Sequence, residues 1–325
     1  MGKLLTYEPD KRHEFSQEWL PHHKVHDCWQ FQGLLHERNN IERYFFWCCS
    51  LNKFSNNNYS LFLSMTDITD GEVYGDRIVF KPGNAKNLSC AVDEESIFIG
   101  NKLQILNAPR AMALALRHED FAASICLVKN QRQSSYGNEN QLWQNGEVAG
   151  KQELATIVLP QLTSSCKLIL KNRELKLAGR SVMERAFGPY SLRRALDHGE
   201  RFYIFLNNGA EIMVLNFPHT NRSRGKYFPL HGESANIEEI RIKATATRLI
   251  GSWCFGSCWS ITIPGVEQEE YYIIPLSDAQ FVMPCSRIVA GVFSHKGEKV
   301  GYCLGELLPG ARSEQEKIPL KLFCH

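Results

Sequence analysis

The chain has 325 residues, of which 43% are hydrophobic and 22% charged, and its formal net charge is +2. That composition specifies a folded core and excludes a disordered chain, while the length suits two β-domains better than one. Acids and bases are interspersed, so no basic stripe points to nucleic acid and no like-charge block to an interaction tail.

The N-terminal stretch MGKLLTYEPDKRHEFSQEW has no apolar run long enough for a signal-peptide core, and a cytoplasmic location is expected. His22-His23-x-x-His26 has a metal-like look, but it sits in coil beside Pro21 and reads as a solvated histidine group. The apolar stretch Ile41–Leu51 is broken by Glu42, Arg43 and cysteines. Nothing approaches the ~18 apolar residues of a membrane span.

Further along, Tyr59, Leu61, Leu63 and Met65 alternate with Ser60, Phe62, Ser64 and Thr66, a period of two with one exception at Phe62. Asp70-Gly71, Asn145-Gly146, Asn208-Gly209 and Lys296-Gly297 supply glycine where tight hairpins need positive φ. In APRAMALALRHEDF the residues are helix formers, yet bulky Met112, Leu114 and Leu116 alternate with alanines, which favours a strand. KLILKNRELKL reads as two strands around Lys171–Glu174, and RFYIFL-NNGA-EIMVLNF is the clearest hairpin. A short helix is expected near Ile237–Ala244, then an aromatic strand carrying Trp253, Phe255 and Trp259, and a last hairpin in RIVAGVFSHKGEKVGYCLGEL.

Many strands, short turns and few helices require closed edges, hence barrels or sandwiches. The length divides into two units, expected at 1–168 and 169–325, with the boundary in the polar stretch Leu162–Arg173. The eleven cysteines are odd in number, scattered and mostly inside apolar runs, so reduced thiols are expected. Cys254-x-x-x-Cys258 lacks a second Cys/His pair, and no zinc or other metal is expected. No G-x-S-x-G elbow, G-x-G-x-x-G turn or Walker loop occurs, so no cofactor is expected either.

Five motifs in order carry a family resemblance. DCWQFQGLL, followed by RYFFWCCSL, is similar to a Glu-Trp-Trp-Tyr-Phe-x-Gly signature through Trp29, Phe31 and Gly33, with Asp27, Cys28, Gln30 and Gln32 at the altered positions. LFLSMTDITDGEVY keeps Thr66, Asp67 and Gly71 of a second strand motif, and FAASICLVKN with YGNENQLWQNG forms a third. LAGRSVMERAFGPYS resembles a Gly-x-x-x-Trp-x-Asp-His-x-x-Gly crossing, and VAGVFSHKGEKVGYCLGEL resembles a closing Gly-Tyr-x-Glu-Leu hairpin. Together they resemble the AttH/CrtC-like family, which includes carotenoid hydratases, kievitone hydratase and lipocalin-like Diels–Alderases. The resemblance spans residues 27 to 308 and implies an all-β fold of two calycin (lipocalin-like) antiparallel barrels side by side, with an apolar ligand pocket.

The resemblance further implies cofactor-free chemistry on a small hydrophobic polyene, isoprenoid or polyketide. A hydratase needs an acid that protonates an alkene and aromatic faces that stabilise the cation. A Diels–Alder-type cyclase needs mainly a cavity that folds the substrate into a reactive conformer. Glu184 matches the family's acid position, with Glu in place of Asp. Val182 stands where an aromatic residue is usual, LATIVLPQL lacks the His/Trp pair of the preceding strand, and Arg185 replaces His. Arg185 is expected to hold Glu184 ionised, which favours cyclisation over hydration, with a non-catalytic hydrophobic carrier as the third reading.

The candidate catalytic residues are Glu184 and Asp67. Glu184 with Arg185 is either catalytic or an ion pair between barrels, and Asp67 either orients substrate or caps its turn. Candidate substrate contacts are Trp29, Tyr44, Trp47, Trp259, Tyr302 and Glu306. A tryptophan that plugs a barrel end competes with a pocket role for Trp29 and Trp47, and core packing competes for Trp259. Tyr302, Leu304 and Glu306 share one face of the last strand, which points either to a pocket or to solvent.

Overall fold

Period-two alternation dictates the architecture: every regular element among the described residues is a strand, and every pairing is antiparallel. The computed structural model describes residues 19–54, 58–80, 90–93, 95–129, 143–144, 155–188, 199–217, 222–237, 239–250, 253–266, 270–276 and 286–307. No helix occurs among them. The helix expected near Ile237–Ala244 is instead the end of one strand and the start of another, because Ile242 and its neighbours find ladder partners on the next strand.

The chain divides into two units, Met1–Ala195 and Leu196–His325. The first holds β1 (His26–Glu37), β2 (Asn40–Lys53), β3 (Tyr59–Asp67), β4 (Glu72–Phe80), β5 (Cys90–Val92), β6 (Ser96–Ile99), β7 (Leu103–Asn107), β8 (Ala111–Arg117), β9 (Phe121–Val128), β10 (Trp143–Gln144), β11 (Ala155–Leu170) and β12 (Arg173–Gly188). Their order is β4-β3-β2-β1-β12-β11-β9-β8-β7-β6-β5, with β10 beside β11. The second unit holds β13 (Glu200–Leu206), β14 (Glu211–Phe217), β15 (Arg222–Phe228), β16 (Ala235–Ile237), β17 (Arg241–Ile250), β18 (Trp253–Thr262), β19 (Glu270–Pro275), β20 (Ser286–Ser294) and β21 (Lys299–Leu307), in the order β16-β15-β14-β13-β21-β20-β19-β18-β17. Each unit is thus a meander whose first strand pairs with its last. The division expected at 168/169 runs through β11, whose hairpin with β12 belongs wholly to the first sheet.

Hairpin chemistry explains the turns. Gly209 (φ 88°) and Gly297 (φ 80°) occupy the left-handed positions that side chains avoid. Lys171 (φ 48°) and Asn172 (φ 63°) make the β11–β12 turn with two successive positive φ values and no glycine. The Asn145-Gly146 turn lies outside the described residues.

The alanine-rich segment is β8, with Met112, Leu114 and Leu116 buried on the core face. They join Phe31, Phe45, Leu61, Leu63, Met65, Ile105, Ile125 and Leu168 in the first core. The second core gathers Phe202, Ile204, Val214, Trp259, Ile273, Val292 and Cys303. Each such side chain contributes about 1.5–3 kcal/mol on burial.

Several strands are buried on both faces. On β1 to β3 the residues alternating with the core, Gln30, Gln32, Ser50, Ser60, Ser64 and Thr66, are buried too. Their polarity reads as a wet face, but it is not one.

Candidate functional site

The register between β1 and β12 decides what the acid motif can do. Trp29 faces Arg185 and Gln30 faces Glu184, so the two charged neighbours project to opposite sides of the sheet. Their adjacency in the sequence therefore does not bring the two side chains to the same face of the sheet.

On the core side Arg185 is fully buried and organises a network at one end of the strands. Its Nη2 donates to Asp27 Oδ1 at 2.5 Å and to Leu20 O at 3.0 Å, and its Nη1 donates to Ala186 O at 3.0 Å. The guanidinium lies 4.0 Å from the Trp29 ring centroid and 5.1 Å from that of Phe187, two cation–π contacts. His22 stacks on Phe187 at 4.3 Å, its Nδ1 lies 2.8 Å from Asp27 Oδ1, and its backbone N–H donates to Asp27 Oδ2. Lys53 Nζ donates to His22 O at 2.7 Å and Val25 O at 3.2 Å, and lies 3.6 Å from Asp27 Oδ2. Trp29 Nε1 donates to Trp19 O at 2.9 Å.

His22 is thus completely buried, which corrects the reading of a solvated histidine group; His23 alone of the two neighbours is exposed. Burial by itself would raise the Asp27 carboxyl, but the Arg185 charge and the His22 hydrogen bond bring it below its usual range. Desolvation lowers the Lys53 ammonium despite the Asp27 charge beside it. These groups tie the segment Trp19–Val25 to the sheet through its carbonyls. That is a structural task, and Trp29 takes part in it through Trp19 O and the Arg185 guanidinium.

On the other side, Ser50, Gln30, Glu184 and Val158 form one cross-strand row over β2, β1, β12 and β11, all buried. Glu184 is 3% exposed. In this row its neighbours in register are Gln30 on β1 and Val158 on β11.

The remaining candidates are dispersed. Asp67 accepts from the backbone N–H groups of Thr69 (3.1 Å) and Asp70 (3.3 Å), and from Arg43 Nη2 at 2.6 Å and Nε at 3.1 Å. Oδ1 caps the turn and Oδ2 holds Arg43 of β2, so both oxygens have structural partners. Tyr44 is half-buried, with its ring against His36. Trp47 is fully buried in the first core and its Nε1 has no hydrogen-bond partner among the described residues. It lies over Gly33, where a Cβ would sit 2.6 Å from Trp47 Nε1 and 2.8 Å from Arg180 O, so only glycine fits. Glu306 is held by the buried Arg201 (3.5 Å) and the partly buried Arg287 (3.4 Å), and Lys299 Nζ sits 3.9 Å over the Tyr302 ring. The side chains of Trp253, Cys254 and Phe255 lie outside the described part.

Trp259 has a partner that sequence reading missed. Its Nε1 donates to Glu200 Oε1 at 3.0 Å, Asn216 Nδ2 donates to Glu200 Oε2 at 2.7 Å, and Ser223 Oγ donates to Asn216 Oδ1 at 2.8 Å. Phe202 meets Trp259 edge-on at 5.3 Å. The available signal was phase: Glu200 shares the face of Phe202, Ile204 and Leu206, which are all core residues. Burial raises the Glu200 carboxyl against the pull of its two donors. A carboxyl with a raised folded value binds its proton more tightly in the native state, so stability falls as pH rises from the unfolded value toward the folded one. Urea unfolding between pH 4 and 7 should show this slope, and Glu200→Gln should flatten it. An unchanged slope removes the assignment.

No group of three or more His, Cys, Asp or Glu side chains is placed to hold a metal among the described residues. Nor is any helix there long and apolar enough to cross a membrane.

The two antiparallel sheets, each with its first strand beside its last, have an all-β, lipocalin-like fold. No protein-family model and no curated protein sequence matches the chain. Among solved structures it is similar to an AttH of Nitrosomonas europaea, with a TM-score of 0.75 and 14% identity over 94% of this chain and 98% of that one. It is also similar to kievitone hydratase of Nectria haematococca, with a TM-score of 0.63 and 14% identity over 87% and 88% of the two chains. At that identity the likeness is one of fold, and it is the fold that the motif resemblance implied.

Proposed function

We propose that this chain is a cofactor-independent enzyme that protonates an alkene of a hydrophobic isoprenoid or polyketide substrate, with Glu184 as the acid. The observation that carries the reading is the placement of Glu184, buried in the Ser50–Gln30–Glu184–Val158 row and turned away from Arg185. The fold shared with kievitone hydratase supports it. In this chemistry the carboxyl proton passes to one alkene carbon and leaves a cation on the other. Water then bonds to the cation and returns a proton to the Glu184 carboxylate, for net addition of water. Capture of the cation by a second alkene, followed by proton loss to the same carboxylate, gives a ring. A proton-assisted cyclase and a hydratase therefore share one acid and differ in the nucleophile, whereas a Diels–Alder-type cyclase would not need it.

The test is incubation of the protein in D2O with kievitone, a linear carotenoid and acyclic polyenes, followed by mass spectrometry. Deuterium on carbon together with added water or a new ring is expected. Glu184→Gln should lower turnover by about 10²–10⁴-fold with a nearly unaltered melting temperature, whereas Glu184→Asp should keep part of it. Equal turnover by Glu184→Gln, or deuterium uptake with no substrate, overturns the reading. Ligand bound tightly and recovered unchanged would identify a carrier.

A further inference from the structure

The outer face of β7, β8, β9, β11 and β12, at the end of β12 remote from Glu184, carries a groove of about 500 Å³. Its floor is one of small side chains in register. Ala113 lies between Leu106 and Cys126, and Ala115 between Gln104 and Ser124. Leu106, at its edge, is 46% exposed although it sits mid-sheet. The end of the Gln104–Ala115–Ser124 row is basic: Lys167 pairs with Ser124 and directly with Lys176. Arg38 joins them, its backbone N–H donating to Lys176 O at 2.9 Å.

Like charges directly opposite each other destabilise a sheet, yet Lys167 and Lys176 are cross-strand partners. Glu174 reaches Lys167 from a neighbouring position at 2.9 Å, in an exposed pair that is worth little. No carboxylate lines the groove among the described residues. An anion between the two ammonium groups and the Arg38 guanidinium would remove the repulsion, and an apolar chain laid over the alanine and cysteine floor would cover Leu106.

We infer that this groove binds a monomeric amphiphilic anion, a hydrocarbon chain ending in a carboxylate, with the anionic head at Lys167, Lys176 and Arg38. The volume lies within the range of small-molecule sites. The inference is independent of the role given to Glu184, since Glu184→Gln touches none of these groups.

Calorimetric titration with laurate below its micellar concentration reads the affinity, and peptide-resolved maleimide labelling of the exposed Cys126 reads the place. Saturable binding that slows labelling at Cys126 is expected, with dodecanol much weaker than laurate. Lys176→Glu should weaken laurate about tenfold or more, while the melting temperature holds or rises, because Lys167 then faces a carboxylate. Ala115→Trp, which fills the floor, should abolish protection of Cys126. No laurate binding, dodecanol as tight as laurate, unaltered affinity in Lys176→Glu, or attachment to anionic phospholipid vesicles without binding of monomeric laurate overturns the inference.

Discussion

Arg185→Met is expected to destabilise the first unit by about 3–5 kcal/mol, a fall in melting temperature of roughly 10 °C. The loss does not come from volume, because methionine fills a similar space. It comes from Asp27, which stays completely buried and loses its shortest partner. The carbonyls of Leu20 and Ala186 lose donors in the same step, and the Trp29 and Phe187 rings lose their cation. Guanidinium unfolding of the single variants and of Asp27→Asn with Arg185→Met measures the coupling. The double variant should recover part of the loss, since both charges leave together. A single-variant change below about 1 kcal/mol would mean the network is incidental. The pH dependence has a definite sign. The Asp27 carboxyl lies below its usual value in the folded state, so its stabilisation is present above the unfolded value and is lost as pH falls through the folded one.

Trp259→Ala is expected to cost the second unit about 3–5 kcal/mol. The indole is fully buried, and its removal leaves a cavity against Phe202 and takes a donor from Glu200. Trp259→Phe separates the two causes: it keeps most of the ring contact and loses only the hydrogen bond, at about 1–3 kcal/mol. Amide exchange should then quicken on β13 and β18, the strands that the Trp259–Glu200 bond ties together. These strands are not neighbours in the sheet. Loss of protection confined to β18 would mean the indole only fills space.

Much of the candidate site was legible only in part. Asp67 precedes an Asp-Gly turn, and its capping role follows from local chemistry that a sequence displays. The charged network did not show itself, because its members come from a coil, from β1, from the end of β2 and from the end of β12. His22 and Arg185 are far apart along the chain, and only the β1–β12 pairing brings them within reach. The adjacency of Glu184 and Arg185 was a poor guide for a related reason. Adjacent residues in a strand face opposite ways, and sequence adjacency is then evidence against a contact.

By itself the sequence determined the all-β class and most strands and turns, though not the β16–β17 stretch, since alternation and turn residues act over a few neighbouring positions. It also determined which face of β8 is bulky, and the phase of Glu200 with Phe202. The tertiary structure decided what covers each face and which partner each charge finds. Alternation marks Gln30, Ser50 and Glu184 as one side of a sheet but says nothing of water. Whether a polar face is wet, or a lysine faces another lysine, depends on register between distant strands, which backbone hydrogen bonds and core packing set together.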